Sequence, residues 1–102
     1  MSKVHPVIQH ELKHLLVKYE KLGVDMFLFG SVADTWPECR RGADFDIAVD
    51  AVPATKDRRD VVRQLERDVA RLSTIRPVDV VDLANVSPAF RETARKQARR
   101  RL

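Results

Sequence analysis

Two aspartates separated by a single residue, Asp44 and Asp46, are the residues of this sequence best placed to do chemistry. They begin the segment Asp44–Asp50 (DFDIAVD), in which acidic and apolar residues alternate with the period of a strand that buries one face. Both carboxylates would then project from the same face, roughly 6–7 Å apart. Such carboxylates repel each other, and a hard cation such as Mg²⁺ or Mn²⁺ removes that repulsion. The alternative is a sheet face whose acids are simply solvated.

Polar residues also accompany two other candidate strands. Gly30 and Ser31 follow the apolar segment Val24–Phe29, where a glycine lets backbone amides approach a ligand and a serine adds a hydroxyl. Backbone amides at such a turn favour phosphate, and an ordinary turn into a helix is the alternative. Asp79 lies within the β-branched segment Val78–Leu83 (VDVVDL). An acid in such a strand requires a metal, a charged partner or an open face.

The segment His10–His14 (HELKH) fits the H-E-x-x-H pattern of zinc proteases. On a helical wheel, however, His10 and His14 lie opposite the apolar face that contains Leu12. No third histidine follows them as a ligand. We therefore expect a solvated helix face here rather than a zinc site.

Hydrophobic periodicity predicts the elements that position these residues. Apolar residues at helical spacing predict a first helix over His5–Leu22, ended by Gly23, and a second helix after Asp57. Ser87 and Pro88 predict the start of a last helix through Arg101. The candidate strands are Val24–Phe29, Asp44–Asp50 and Val78–Leu83, and Ser31–Ala43 is expected to be a polar connection in which Cys39 carries an exposed thiol.

This order of elements predicts an α/β (α+β) fold. We expect a small mixed sheet of about three strands, with helices packed mainly on one face, in a single domain over residues 1–102. The hydrophobic fraction of 44% and the charged fraction of 33% exclude a disordered or low-complexity chain. A single cysteine excludes an internal disulfide, and no apolar run is long enough for a signal peptide or a membrane span. We therefore expect a cytoplasmic protein.

The formal net charge of +4 is concentrated at the C-terminal end. Six arginines and lysines oppose one glutamate in residues 91–102. Such a segment attracts polyanions, although most basic runs are the solvated face of a terminal helix. Nucleic-acid binding by this segment is therefore kept as an alternative that is not favoured.

The order of the segments LFGS, DFDIAV and VDVVDL resembles the minimal nucleotidyltransferases of the DNA polymerase beta superfamily, from about Val24 to Arg91. The resemblance implies the nucleotidyltransferase fold, with Gly30 and Ser31 holding the β- and γ-phosphates of a nucleotide. It also implies that Asp44 and Asp46 coordinate two divalent cations, Mg²⁺ or Mn²⁺. Asp79 would complete this catalytic and metal-binding set, since it matches the family's position in its strand better than Asp82 does.

The resemblance further implies an adenylyltransferase. Stand-alone members of this family are commonly paired with a small all-helical HEPN or substrate-binding protein. Often they are the antitoxin of a toxin-antitoxin system and transfer AMP to a tyrosine of that partner, so we expect ATP as the donor and a hetero-oligomer. Two features depart from the family: Val32–Thr35 (VADT) replaces a common Arg-Ala-Arg-Gly, and the connection to Asp44 is longer. The alternative function is therefore a catalytically degenerate antitoxin that neutralises its partner by occlusion.

Overall fold

A computed structural model describes residues 2–102 of the chain. The helices are α1 (Pro6–Lys21), α2 (Gly30–Thr35), α3 (Arg58–Ala70) and α4 (Pro88–Lys96), with a 3-10 turn at Leu83–Asn85. The strands are β1 (Ser2–Lys3), β2 (Met26–Phe29), β3 (Glu38–Cys39), β4 (Phe45–Val49) and β5 (Val78–Asp82). Among these described residues, none of the helices combines the length and the apolar character that a bilayer-spanning segment requires.

The main sheet has three strands in the order β2-β4-β5. Strand β4 is central: it pairs antiparallel with β2 and parallel with β5. Strands β1 and β3 form a separate antiparallel pair. The mixed three-stranded sheet predicted from the sequence is therefore confirmed.

Helix α1 forms where the apolar spacing predicts it. Its buried residues are Ile8, Leu12, Leu15, Leu16 and Tyr19, and the His5 side chain caps its first turn by accepting from the Val7 N–H. The chain leaves the helix through Gly23, whose φ of 77° is a conformation that glycine adopts without strain.

Helix α3 starts at the predicted position because the Asp57 carboxylate accepts hydrogen bonds from the N–H groups of Arg59 and Asp60. Its buried residues Val61 and Leu65 lie in the same core as α1. The apolar residues of β4 that point toward this core are Phe45, Ile47 and Val49, as the alternation predicts.

A second, smaller core lies on the opposite face of the sheet. It contains Phe27, Phe29 and Ala48 from the strands, with Leu83 and Ala94 packed over them. Since α1, α2 and α3 contribute to the first core and α4 to the second, the helices lie mainly on one face, as predicted.

The connection Ser31–Ala43 contains more regular structure than predicted. Its first part is helix α2, which buries Val32 and Ala33, and its second part is strand β3, which pairs with β1. The sequence indicated only a polar connection, because α2 is short and β3 pairs with residues that are distant in the chain.

The prediction of a last helix through Arg101 was also wrong. Helix α4 ends at Lys96, and Arg99 then pairs with the outer edge of β2 through Leu28, with N···O distances of 2.9 and 2.8 Å. The side chain of Arg99 donates to the Ala33 carbonyl at 2.8 Å. The chain leaves the helix because these bonds satisfy backbone groups that the edge of β2 would otherwise expose.

Much of the C-terminal positive charge is paired within the fold. Arg91 and Arg95 approach the buried carboxylate of Asp50 at 3.0 and 3.6 Å. Arg100 pairs with Asp25 at 3.0 Å and lies over the ring of Phe27. This pairing leaves less free positive charge for a polyanion than the sequence suggests.

Cys39 is buried, so the expectation of an exposed thiol was wrong. Its Sγ accepts a hydrogen bond from the Arg76 guanidinium at 2.8 Å. Only 1% of Cys39 is exposed, because β3 packs against the first core.

Candidate active site

Asp46 lies on the central strand, β4, and has a register partner on each neighbouring strand. In β2 it lies opposite Phe29, and in β5 it lies opposite Asp79. Residues directly opposite each other project from the same face, and adjacent strands are about 4.8 Å apart. The carboxylates of Asp46 and Asp79 are therefore neighbours on the face that carries the second core.

The two acids of β5 project from opposite faces of the sheet. The strand register shows which of them shares a face with Asp46. Asp79 projects with Asp46, whereas Asp82 projects from the other face. There Asp82 is bound by the Arg58 guanidinium at 2.6 Å and accepts from the Ala84 N–H at 3.0 Å. Asp82 is thus occupied by a structural role, and Asp79 is the residue of β5 that extends the acidic face.

Asp44 lies just before β4, and Asp46 is half-buried within it. Burial raises the pKa of Asp46 above its ordinary value, and the negative charges of Asp79 and Asp44 raise it further. The three carboxylates are therefore close enough to interact electrostatically.

Gly30 lies against this acidic face at the end of β2. Its φ is 79°, and a Cβ built on it would stand 2.6 Å from Oδ2 of Asp46. Two reasons thus require glycine at this position: the left-handed backbone and the close approach to a carboxylate. The turn that follows β2 and the acids of β4 and β5 form one continuous surface.

The N–H of Gly30 donates to Oε1 of Gln97 at 3.2 Å. Gln97 is the C-cap residue of α4, so the C-terminal end of this helix reaches the glycine turn. Sequence reasoning missed this contact, because nothing in the local pattern around Gln97 connects it to a residue 67 positions earlier. Ser31 is exposed on the first turn of α2, next to this contact.

Helix α4 covers the rest of this face. The ring of Phe90 packs edge-on against Phe29, with centroids 6.1 Å apart, and Ala94 is buried below it. The acidic residues lie beyond this cover, so the face is apolar under α4 and acidic next to Gly30.

The donor chemistry of this surface fits a hard divalent cation, because carboxylate oxygens are the ligands that Mg²⁺ and Mn²⁺ prefer. Burial is the main cause of the raised pKa of Asp46, and the repulsion from Asp79 and Asp44 that adds to it is what a bound cation would relieve. Within residues 2–102, however, no three His, Cys, Asp or Glu side chains lie close enough together to hold a metal ion. The acids share a face without forming a closed ligand set.

The H-E-x-x-H segment does not form a closed site. His10 and His14 are exposed on α1, as expected. Glu11 accepts hydrogen bonds from the backbone N–H and the hydroxyl of Ser73, at 2.9 and 2.6 Å. These bonds lower the pKa of Glu11, and they tie α1 to the loop after α3.

The residues that form this arrangement lie within the part of the chain that matches a known protein family. The model of the polymerase beta nucleotidyltransferase family matches residues 10–100. The chain belongs to this family. The match includes the glycine turn and all three acids, as well as the C-terminal residues that pair with β2, so this nucleotidyltransferase domain is recognised over nearly its whole length.

A solved structure provisionally described as a minimal nucleotidyltransferase has the same fold. It aligns with a TM-score of 0.61 and 24% sequence identity, covering 90% of each chain. No curated protein sequence matches the chain. The expected nucleotidyltransferase fold is confirmed, and family membership supports a transferase function for the domain.

Proposed function

We propose that this domain is a metal-dependent nucleotidyltransferase that transfers AMP from ATP to a hydroxyl group. We further propose that the acceptor is a tyrosine of a small helical HEPN-type partner, and that the domain is the antitoxin of a toxin-antitoxin pair. The observation that carries the catalytic part is the contact of the glycine turn with the acidic face: Gly30 lies directly on Asp46, and Asp46 lies opposite Asp79.

Each residue has a separate role in this proposal. Asp44, Asp46 and Asp79 would hold the divalent cations, and Gly30 and Ser31 would hold the β- and γ-phosphates. The donors would be the amide and hydroxyl of Ser31, since the Gly30 N–H donates to Gln97. When bound, Mg²⁺ or Mn²⁺ neutralises the triphosphate and stabilises the departing pyrophosphate. A triphosphate held by the turn would extend over the face that carries the three acids.

The proposed reaction forms one bond, breaks one bond and moves one proton. The acceptor oxygen forms a bond to the α-phosphorus, and the bond from that phosphorus to the bridging oxygen of pyrophosphate breaks. Asp79 is exposed at the border of the acidic face and would accept the proton of the acceptor hydroxyl.

The partner and antitoxin roles rest on the family resemblance. The described residues pack into two cores, one on each face of the sheet, and both cores are built from the elements of the nucleotidyltransferase domain. In this proposal the acceptor is presented by another molecule.

A second candidate function is occlusion of the partner without catalysis. It is favoured by the spacing of the acids, since within the described chain they form no set of three that could hold a metal. It is also favoured by α2, in which Val32 and Asp34 stand where the family resemblance places arginines, and Val32 is buried.

Label transfer distinguishes the two functions. The domain is purified from its native host with any bound partner and incubated with α-labelled ATP and Mg²⁺, in parallel with Asp46→Asn. Catalysis predicts metal-dependent labelling of the partner that the variant loses while its circular dichroism is unchanged. Labelling without divalent metal, or by Asp46→Asn, contradicts catalysis; a bound but unlabelled partner supports occlusion.

A further inference from the structure

Strand β5 forms a free edge of the main sheet. The opposite edge, on β2, is covered by the pairing of Leu28 with Arg99. Within residues 2–102, β5 pairs with β4 and with no other strand. An unpaired edge exposes backbone groups that can bind another strand.

Alternate residues of β5 direct their backbone N–H and C=O groups away from β4. The Pro77 carbonyl accepts a hydrogen bond from the Phe45 N–H at 2.9 Å, so the backbone groups of Pro77 point toward β4. Because the direction alternates along a strand, the N–H and C=O groups of Val78 and Val80 point away from the sheet. No other described residue makes a hydrogen bond with these outward groups.

A groove of about 520 Å³ runs beside this edge. Val78 and Val80 form one side of it, and Val69 and Leu72 near the end of α3 contribute to the other side. Between two further lining residues, Thr74 and Arg76, Ile75 stands fully exposed. The groove is lined by polar and charged residues as well as these apolar ones. Unpaired backbone groups beside such side-chain pockets are the features of a surface that accepts an added strand.

We propose that the occupant of this edge is β5 of a second copy of the chain, added antiparallel about a two-fold axis through Val80. A two-fold axis makes the contact self-complementary. This register pairs all five residues of the strand: Val80 with Val80, Val78 with Asp82, and Asp79 with Val81 of the partner subunit. The result is a continuous six-stranded sheet.

The charges of β5 select this register. Centred on Val80, neither Asp79 nor Asp82 lies opposite an acid of the second copy. An axis through Asp79 would place two carboxylates directly opposite each other, which is destabilising. An axis through Val81 pairs fewer residues of β5, since the chain beyond Asp82 turns into the 3-10 segment.

The second copy also contributes to the candidate active site. Directly opposite residues share a face, so Val81 of the partner subunit would lie beside Asp79. The dimer would thereby place an apolar side chain next to the exposed end of the acidic face.

The mass in solution tests the use of this edge. Light scattering after gel filtration, carried to high micromolar concentration, should give the wild-type chain the mass of two 11.7 kDa chains. Val80→Pro removes an outward N–H that β5 does not need for its own sheet, so this variant should fold and be monomeric. Val80→Ala is the matched control, because it also shortens the side chain but keeps the N–H, and it should remain dimeric. A monomeric wild type overturns the proposal, as does a Val80→Pro variant that is folded and still dimeric.

Cross-linking tests the register without relying on Val80→Pro to fold. Two Val80 residues related by the axis would have their Cα atoms about 5.5 Å apart, within the range of a disulfide. Val80→Cys should therefore form a covalent dimer on mild oxidation, whereas Val78→Cys, which faces Asp82 of the partner subunit, should not. The buried Cys39 gives little background. Equal cross-linking of both variants, or none of either, contradicts this register.

Discussion

Asp46 and Asp79 are register partners on parallel strands and project from the same face of the sheet. They are 33 positions apart in the chain, and only strand pairing makes them neighbours. Asp46 lies against Gly30, and parallel pairing of β4 with β5 places Asp79 on the other side of Asp46 on the same face. A divalent cation bound here would contact acids from two different strands.

The first prediction concerns metal binding. Mg²⁺ or Mn²⁺ should raise the melting temperature, because a ligand that binds the folded state stabilises it. Asp79→Asn should reduce this rise. Asp82→Asn is the control: it should lower the melting temperature through loss of the Arg58 ion pair but keep the metal-induced rise. Scanning calorimetry with and without metal measures both; equal metal responses in the two variants would place the cation elsewhere.

The second prediction concerns Gly30. Gly30→Ala should lose at least about 1–2 kcal/mol of stability, because a positive φ is strained for alanine. Its Cβ would also displace the Asp46 carboxylate, so nucleotidyl transfer should be lost.

Gly42→Ala is the matched control for Gly30→Ala. Gly42 has a nearly identical φ of 78°, but a Cβ there meets no atom within 4 Å. It should lose stability from backbone strain alone and retain transfer. Urea unfolding and label transfer on both variants make the comparison, and an active Gly30→Ala variant would refute the close-contact argument.

The third prediction concerns pH. Burial and the two neighbouring acids raise the pKa of Asp46 in the folded state, so its ionised form costs stability above that pKa. Asp46→Asn should therefore be more stable than wild type at neutral pH. The difference should shrink as the pH falls through the folded pKa toward the ordinary value of 3.8, because the wild-type carboxyl is then protonated. Transfer should fall by about 100-fold or more, since a metal ligand is lost.

The pKa of Asp68 is shifted in the opposite direction to that of Asp46. Burial opposes its ionisation, but hydrogen bonds from Lys18 and Tyr19 outweigh burial and lower its pKa. Asp68→Asn should therefore be less stable than wild type at neutral pH, and this deficit should disappear as the pH falls through the lowered pKa. Thermal unfolding from neutral to acid pH measures the stability of each variant relative to wild type. The advantage of Asp46→Asn and the deficit of Asp68→Asn should both approach zero as the pH falls. Stability differences of the same sign would refute the directions of the two pKa shifts.

The fourth prediction concerns the C-terminal segment. Arg99→Ala removes a hydrogen bond to the Ala33 carbonyl and should cost about 1–2 kcal/mol. Arg101→Ala, in the same exposed basic run, should change stability by less than about 0.5 kcal/mol. Chemical denaturation measures both. Equal effects would mean that the segment acts through its charge and not through its docking on β2.

The main elements and the acids of the candidate site could be predicted from the sequence, because their signals are local. The spacing of apolar residues identifies α1, and the alternation around Asp46 identifies β4 and the face that its acids share. The choice of Asp79 over Asp82 rested on family resemblance, and the structure adds a physical reason in the Arg58 ion pair of Asp82.

The features that were missed depend on residues distant in the chain. The end of α4 is decided by the pairing of Arg99 with Leu28, the burial of Cys39 by the packing of β3, and the capping of Gly30 by Gln97. Periodicity carries no information on such contacts, because it describes one segment at a time.

The sequence alone therefore determined the main helices and strands, their order and the face that Asp44 and Asp46 share, since each depends on neighbours within a few residues. Tertiary structure alone decided which acids became neighbours, which arginines were neutralised and which sheet edge stayed open. These outcomes follow from strand pairing and from hydrogen bonds between segments that meet only when the chain has folded.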